Sequence, residues 1–249
     1  MLKMTKIVNE GGNVVPDAKE LTKQNFPSVM NNLKAVLPKG LNLYPIGSAG
    51  HKEVSSDIDV LVDAEELMQI FPAKELKLSR QQLEQYFKSK GMFAARTGVS
   101  VHVGVPIGNT KELVQVDIMA VENAAAAQPL HTHDYSRDPK MKGGTLHGIW
   151  ADLANMSSTP ENNLMMSPYK GLVNRDTKQL ITANKDEIAK QIIGPNATAS
   201  DMSSVDAILD ALKPYPAKYK AIKDKYTPIS DSISLGLGEQ MRYWINKLS

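Results

Sequence analysis

Hydrophobic positions follow two different periods along the chain, which predicts a mixed α and β protein. Helical spacing of Val29, Leu33 and Val36 predicts a first helix that closes at Pro38 and Gly40. Strict alternation predicts strands in LNLYPIG and DIDVLVD, and a hairpin in which VSVHVGV and ELVQVDIMAV flank the turn PIGNTK. Polar capping residues at Asp63 and Ser79 predict helices that run to about Phe71 and to Gly91.

The second half of the chain predicts a separate, smaller unit. TLHGIWADLA is helical with Trp150 on its apolar face, and GLVNRDTKQLIT is a hairpin. Further helices are expected at 185–193 and 204–212, and a closing helix carries Met241, Trp244, Ile245 and Leu248 on one side. We therefore expect a core over residues 1–156, a linker over 157–168, and a small, mainly helical C-terminal domain over 169–249.

Composition excludes several classes of protein. The chain has 249 residues, 42% of them hydrophobic and 22% charged, with a net charge of +2, so no polyanionic partner is dictated by charge alone. The absence of cysteine excludes disulfides and thiolate chemistry. No apolar run reaches the length of a membrane span and MLKMTKIVNEGGN lacks a signal-peptide core, so we expect a cytoplasmic protein without membrane contact.

Three carboxylates stand where strands should bury apolar side chains. Asp57 and Asp59 occupy positions i and i+2 of DIDVLVD and therefore face the same way. Asp117 lies in the middle of VQVDIMA, where an unpaired carboxylate would be costly. Divalent cations with a preference for oxygen ligands would compensate this repulsion, so the sequence predicts a two-metal phosphate site. The alternative is a structural role, and Asp63 is most simply a helix cap.

YPIGSAGHKEVSSDIDVLVD, followed by VQVDIMA, resembles the signature of the DNA polymerase β-like nucleotidyltransferase superfamily. That signature is an apolar residue, Gly, then Gly or Ser, a spacer, Asp-apolar-Asp/Glu, and a third acid in a later strand. The resemblance covers about residues 42 to 121, and compact versions of this kind occur in bacteriophages. It implies an α+β fold with a short mixed or antiparallel sheet flanked by helices, and the host cytoplasm as location for a phage protein.

The resemblance also implies roles for individual residues. Gly47 and Ser48 would hold phosphates of a nucleoside triphosphate, and Asp57 and Asp59 would bind two Mg²⁺ ions, with Mn²⁺ as a substitute. Asp117 would bind the catalytic ion and help activate an acceptor hydroxyl of RNA, a protein or a small molecule, with release of pyrophosphate. One departure is the spacer of Ala49 to Ser56, which is slightly shorter than usual.

Other polar residues are weaker candidates. Lys52 in the spacer, and Arg137, Lys140 and Lys142 after the third carboxylate, are cations for a triphosphate, or else solvated side chains. His131 and His133 resemble half of a zinc site, but without further ligands we expect them at the surface.

The lysine-rich segment LKPYPAKYKAIKDKY raises the question of a nucleic-acid acceptor. Lys218 and Lys220 could neutralise phosphates of a single strand while the tyrosines stack on bases. Alternatively, the tyrosines recur at helical spacing and anchor a helix whose lysines face water. A further alternative for the whole protein is a catalytically inactive binding or regulatory module with the same fold; retention of all three carboxylates argues against it.

Overall fold

A computed structural model describes residues 14–135 and 143–233 of the chain. The chain divides into two compact units, Met1–Val121 and Glu122–Ser249. No helix among the described residues is long and apolar enough to span a membrane.

The first unit alternates strands and helices. Its elements are β1 (Leu21–Thr22), α1 (Phe26–Val36), β2 (Tyr44–Ile46), β3 (Val54–Ser55), β4 (Asp57–Asp63), α2 (Ala64–Ile70), α3 (Leu76–Ser89), β5 (Ala94–Thr97), β6 (Ser100–Pro106) and β7 (Leu113–Val121). Five of the strands form one sheet in the order β2-β4-β7-β6-β5. Strands β4 and β7 are parallel and the other neighbouring pairs are antiparallel. The predicted α+β class, with a short mixed sheet flanked by helices, is confirmed.

The apolar face of this sheet explains why the carboxylates are confined to the other face. Ile58, Val60 and Val62 of β4 are fully buried in a hydrophobic cluster to which α1 and α3 contribute Leu33 and Phe87. Because side chains alternate along a strand, this packing turns Asp57 and Asp59 to the opposite side. The core of the first unit therefore fixes the orientation of the predicted site.

The second unit combines a small antiparallel sheet with helices. Its elements are α4 (Ala124–Ala127), α5 (Gly143–Ser157), β8 (Leu164–Ser167), β9 (Gly171–Asn174), β10 (Leu180–Thr182), α6 (Lys185–Ile192), α7 (Val205–Leu212) and α8 (Pro216–Ile233). The three strands are ordered β10-β9-β8. Trp150 of α5 lies at 0% exposure in a cluster with Leu172, Ile188 and Ile208, which confirms its predicted place in a core.

The structure divides the chain differently from the sequence prediction. The compact units separate after Val121, whereas we expected the core to extend to residue 156. The reason is α5, whose apolar face belongs to the hydrophobic cluster of the second unit. The expected linker 157–168 contains β8, which pairs with β9 and buries Leu164 and Met166. The assignment of 1–156 as a catalytic core stays a prediction.

One helix start in the first unit needs correction, and one strand there was missed. Helix α3 begins at Leu76 and not at Ser79, because the hydroxyl of Ser79 is buried and donates to the carbonyl of Phe71 at 2.8 Å instead of capping. Strand β5 was not predicted at all. The predicted cap at Asp63 is confirmed, since its carboxylate accepts from the amide of Glu65 at 2.9 Å. The predicted closing helix with Met241 and Trp244 lies outside the described residues.

Candidate active site

The three predicted carboxylates come together on two adjacent strands. In the parallel pair β4–β7, Asp59 stands directly opposite Asp117, and Asp57 stands opposite Gln115. Neighbouring strands lie about 4.8 Å apart, so the carboxylates of Asp59 and Asp117 share one patch of the sheet. Asp57 is on the same face two residues earlier. All three side chains are intermediate in exposure, as a site open to a ligand requires.

The turn after β2 brings backbone against this patch. Ile46 pairs with Asp59, and Gly47 follows with a positive φ of 75°. A Cβ atom placed on Gly47 would lie 3.0 Å from Oδ2 of Asp59. Only glycine meets both requirements without strain, the left-handed conformation and the close approach. The neighbouring carboxylate therefore requires glycine at this position, in addition to the turn.

The spacer between Ser48 and Asp57 is folded back onto the turn. The amides of His51 and Lys52 both donate to the carbonyl of Ser48 at 3.0 Å. The hydroxyl of Ser48 lies 3.2 Å from that of Ser55 in β3, the strand that pairs with β1. The hydroxyl of Ser56 donates to Oδ1 of Asp57 at 3.2 Å. The short spacer thus places a small strand and several hydroxyl groups beside the carboxylates.

Electrostatics at the patch are unfavourable for three bare carboxylates. Burial, and then the charges of Asp57 and Asp117, raise the pKa of Asp59 to about 7. Burial and the charge of Asp117 raise the pKa of Asp57, and the hydrogen bond from Ser56 opposes this rise. Neighbouring carboxylates raise the pKa of a carboxyl group because like charges repel. A bound cation has the opposite effect and stabilises the ionised form.

The donor set fits Mg²⁺ better than it fits a metal held by protein alone. Within residues 14–135 and 143–233, no group of three or more histidine, aspartate or glutamate side chains could hold a metal ion by itself. Mg²⁺ is usually bound by one or two carboxylates together with phosphates of the substrate. The oxygens of Asp57, Asp59 and Asp117, with their mutual repulsion, meet that description.

A histidine that the sequence analysis passed over lies beside the third carboxylate. His102 of β6 stands opposite Asp117 in the antiparallel pair, and its Nδ1 is 2.7 Å from Oδ1 of Asp117. Its Nε2 is 2.5 Å from Oγ1 of Thr97 in β5. His102 is 6% exposed. Counting outward from the predicted turn PIGNTK would have placed His102 opposite Gln115; it lies opposite Asp117 because the strands pair as far as Pro106 and Leu113, so the turn begins one residue later than predicted.

Of the four cations predicted to contact a triphosphate, the structure describes only Lys52. Lys52 lies in the spacer, four residues after Ser48, and is intermediate in exposure. Arg137, Lys140 and Lys142 lie outside the described residues, so their role stays a prediction.

The two lysines proposed for nucleic-acid contact differ from each other. The ammonium group of Lys218 donates to Oγ of Ser157 and to the carbonyls of Ile192 and Ile193, at 2.8, 2.8 and 3.3 Å. It therefore caps the carboxyl end of α6. Lys220 is exposed on α8, and Tyr226 of the same helix is buried, as the anchoring alternative expects.

His131 and His133 are not surface residues, contrary to our expectation. His133 is 7% exposed, and the rings of His131 and His133 lie 4.6 and 5.6 Å from the ring of His147. Burial lowers the pKa of His131 to about 4 and that of His133 to about 3, and nearby charged groups, among them Lys185, add to the effect. These are buried, neutral histidines of the second unit.

The order of these parts along the fold matches the family signature named from the sequence. A Gly-Ser turn leads through a spacer to the strand with Asp57 and Asp59, and the strand beside it carries Asp117. The mixed sheet flanked by helices therefore has the arrangement that this resemblance implies for residues 44–121.

Comparisons with known proteins give structural similarity only. No protein-family model and no curated protein matches the chain. Among solved structures, it is similar to the Cid1 poly(U) polymerase with Mg and 3′-dATP bound, at 15% identity, with a TM-score of 0.33, over 60% of this chain and 48% of that one. It is also similar to a cytoplasmic RNA terminal U-transferase, at 13% identity and a TM-score of 0.31, over 61% and 47% of the two chains. The chain thus spans about half the length of these structures.

Proposed function

We propose that the protein transfers a nucleoside monophosphate from a nucleoside triphosphate to an acceptor hydroxyl and releases pyrophosphate, with Mg²⁺ or Mn²⁺ as cofactor. The observation that carries this proposal is the register of β4 and β7, which sets Asp59 beside Asp117 on the face that Gly47 approaches. A solely structural sheet has no use for a half-buried carboxyl group whose pKa is raised by burial and by two neighbouring carboxylates, as that of Asp59 is.

Each part of the site has a role in this reaction. The turn at Gly47 and Ser48 offers open backbone and a hydroxyl group, which suit phosphate oxygens. Asp57, Asp59 and Asp117 would hold the metal ions, which when bound neutralise charge on the attacking and leaving oxygens. The acceptor oxygen forms a bond to the α-phosphorus as the bond to pyrophosphate breaks, and the hydroxyl proton passes to a carboxylate oxygen of Asp117. Positioning and electrostatics supply most of such catalysis.

The experiment is a transfer assay with a matched aspartate control. Purified protein is incubated with Mg²⁺, with each α-labelled nucleoside triphosphate in turn, and with RNA, protein or small-molecule acceptors, and pyrophosphate and labelled product are measured. Asp117→Asn should abolish both signals. Asp63→Asn should not, because Asp63 only caps α2 at the end of β4, and asparagine caps equally well.

The outcomes separate enzyme from binding module. Release of pyrophosphate that requires Asp117 supports the proposal and identifies the acceptor by the label. Binding of a triphosphate without any pyrophosphate release would instead favour the inactive binding module. Equal turnover in the wild type and in Asp117→Asn would remove Asp117 from the site.

A further inference from the structure

We propose that His102 is a positioning residue for the third carboxylate: its Nδ1–H holds Oδ1 of Asp117 so that Oδ2 is presented to the cation and to the acceptor hydroxyl. This inference rests on the proposed function. It starts from the 2.7 Å contact between the two side chains, which the antiparallel register of β6 and β7 enforces.

The chemistry of the partners fixes the direction of this hydrogen bond. An ionised carboxylate has lone pairs and no proton, so the Nδ1 of His102 must be the donor to Asp117. Nε2 of the same ring is hydrogen-bonded to Oγ1 of Thr97 at 2.5 Å. Hydrogen bonds therefore connect Thr97 on β5, His102 on β6 and Asp117 on β7, and hold the imidazole ring at both nitrogens.

Asp117 needs such a partner because an aspartate carboxylate rotates easily about its terminal bond. The terminal torsion of an aspartate is broad and roughly two-fold, so nothing intrinsic keeps one oxygen toward a ligand. Repulsion from Asp57 and Asp59 would turn an unheld carboxylate away from them. A buried imidazole that engages one oxygen leaves the other in a fixed direction. His102, at 6% exposure, has little freedom of its own.

The loss expected on removing a positioning residue such as His102 can be given a rough size. Removal of a group that orients a metal-binding side chain costs roughly 10- to 100-fold in metal affinity or activity. We expect that loss in kcat, with little change in KM for the triphosphate, because the turn at Gly47 and Ser48 is untouched by His102.

Three substitutions of His102 separate positioning from packing. In His102→Asn, the amide nitrogen sits one bond from Cγ, as Nδ1 does, and can still donate to Asp117. In His102→Gln, the amide reaches toward the place of Nε2 instead. His102→Leu removes both contacts. We expect Asn to retain most of the activity, and Gln and Leu to lose roughly 10- to 100-fold. Thr97→Val should give an intermediate loss.

Two measurements do not depend on turnover. Affinity for Mn²⁺ alone, followed by electron paramagnetic resonance, should fall with Gln and Leu and recover with Asn. Nitrogen NMR of the histidine rings should show His102 with a proton on Nδ1. Ser79→Ala is the stability control, because it removes a buried hydrogen bond between α2 and α3 and should lower the melting temperature without changing Mn²⁺ affinity.

Each outcome bears on a distinct claim. If the wild type transfers nucleotides and His102→Leu matches it in kcat and Mn²⁺ affinity, the positioning role is overturned. Losses in all three variants that follow their melting temperatures, or a bare Nδ1, would also overturn it. If the wild type shows no transfer but the Mn²⁺ series still orders Asn above Gln and Leu, the positioning role stands and the proposed function fails.

Discussion

Gly47 lies so close to Asp59 that a Cβ atom would stand 3.0 Å from Oδ2 of the carboxylate. Gly47→Ala should therefore weaken triphosphate binding in the presence of Mg²⁺ and destabilise the fold by roughly 1 kcal/mol or more, since φ is also positive. Gly91→Ala is the matched control, because Gly91 has nearly the same φ, 76°, and nothing within 4 Å of its Cβ position. Calorimetry and thermal unfolding measure both effects. Equal triphosphate affinity in the two variants would show that Gly47 is not part of the binding site.

Removal of one carboxylate should stabilise the metal-free protein. Because the pKa of Asp59 is raised from the ordinary value of 3.8 to about 7, folding is penalised wherever the unfolded chain ionises this group; the penalty is largest above pH 7 and declines as the pH falls toward 3.8. Asp59→Asn should raise the free energy of unfolding at pH 8 by about 1 kcal/mol or more, and this gain should shrink steadily as the pH is lowered toward 3.8. Thermal unfolding in a chelator measures the difference.

Added Mg²⁺ should reverse this order. A ligand that binds the folded state stabilises it, so wild-type protein should gain more from Mg²⁺ than Asp59→Asn does. Asp63→Asn should behave as wild type under both conditions. An Asp59→Asn protein that is less stable than wild type in the chelator at pH 8 would contradict the repulsion described here.

Acid should unfold the second unit through its histidines. The folded pKa values of His131 and His133, about 4 and 3, lie below the ordinary value, so the unfolded chain binds more protons as the pH falls below about 6.5. Stability is complete above that pH and is lost progressively toward pH 4, at roughly 1.4 kcal/mol per pKa unit of each shift. The fluorescence of Trp150 in a Trp244→Phe background reports this unit. His131→Gln should flatten the dependence, and identical unfolding at pH 7 and 4.5 would contradict it.

The two lysines of α8 should respond differently to substitution. Lys218→Met removes two hydrogen bonds that cap α6 and one to the hydroxyl of Ser157, and should cost about 1–3 kcal/mol, whereas Lys220→Met should stay within about 0.5 kcal/mol. Chemical denaturation measures both.

Single-strand binding is best tested at Lys220. If the lysine-rich segment binds RNA, Lys220→Glu should weaken binding, and each lost phosphate contact should make the salt dependence shallower by about 0.7. No measurable binding by the wild type at low salt would leave a protein or small-molecule hydroxyl as the acceptor.

Local patterns predicted the strands that carry the candidate site, and tertiary contacts account for the elements that these patterns missed. DIDVLVD forms β4 over the residues expected, and the predicted hairpin forms β6 and β7, because alternation within a strand is a local property. Strands β5 and β8 are only four residues each, AART and LMMS, and gain their pairing from neighbours that the pattern does not contain.

The hydrogen-bond partners of individual side chains could not be predicted from the sequence either. Ser79 has the residue type of a helix cap, but its hydroxyl bonds to a carbonyl of the preceding segment. Lys218 and Lys220 belong to one lysine run, and only the packing of α8 near the end of α6 separates a capping lysine from an exposed one. The buried histidines likewise depend on the contacts of α5, which the sequence analysis assigned to the first domain.

The parallel pairing of β4 with β7 also has a consequence for folding kinetics. Because α2, α3, β5 and β6 lie between the two strands in the chain, their contact is non-local and closes a long loop, which is slow compared with hairpin formation. The hairpin of β6 and β7 can form first and carries His102 already opposite Asp117. Docking of β4 then brings like charges together, so the metal-free chain should refold more slowly than the chain without Asp59, and the site is complete only when this last pairing is made.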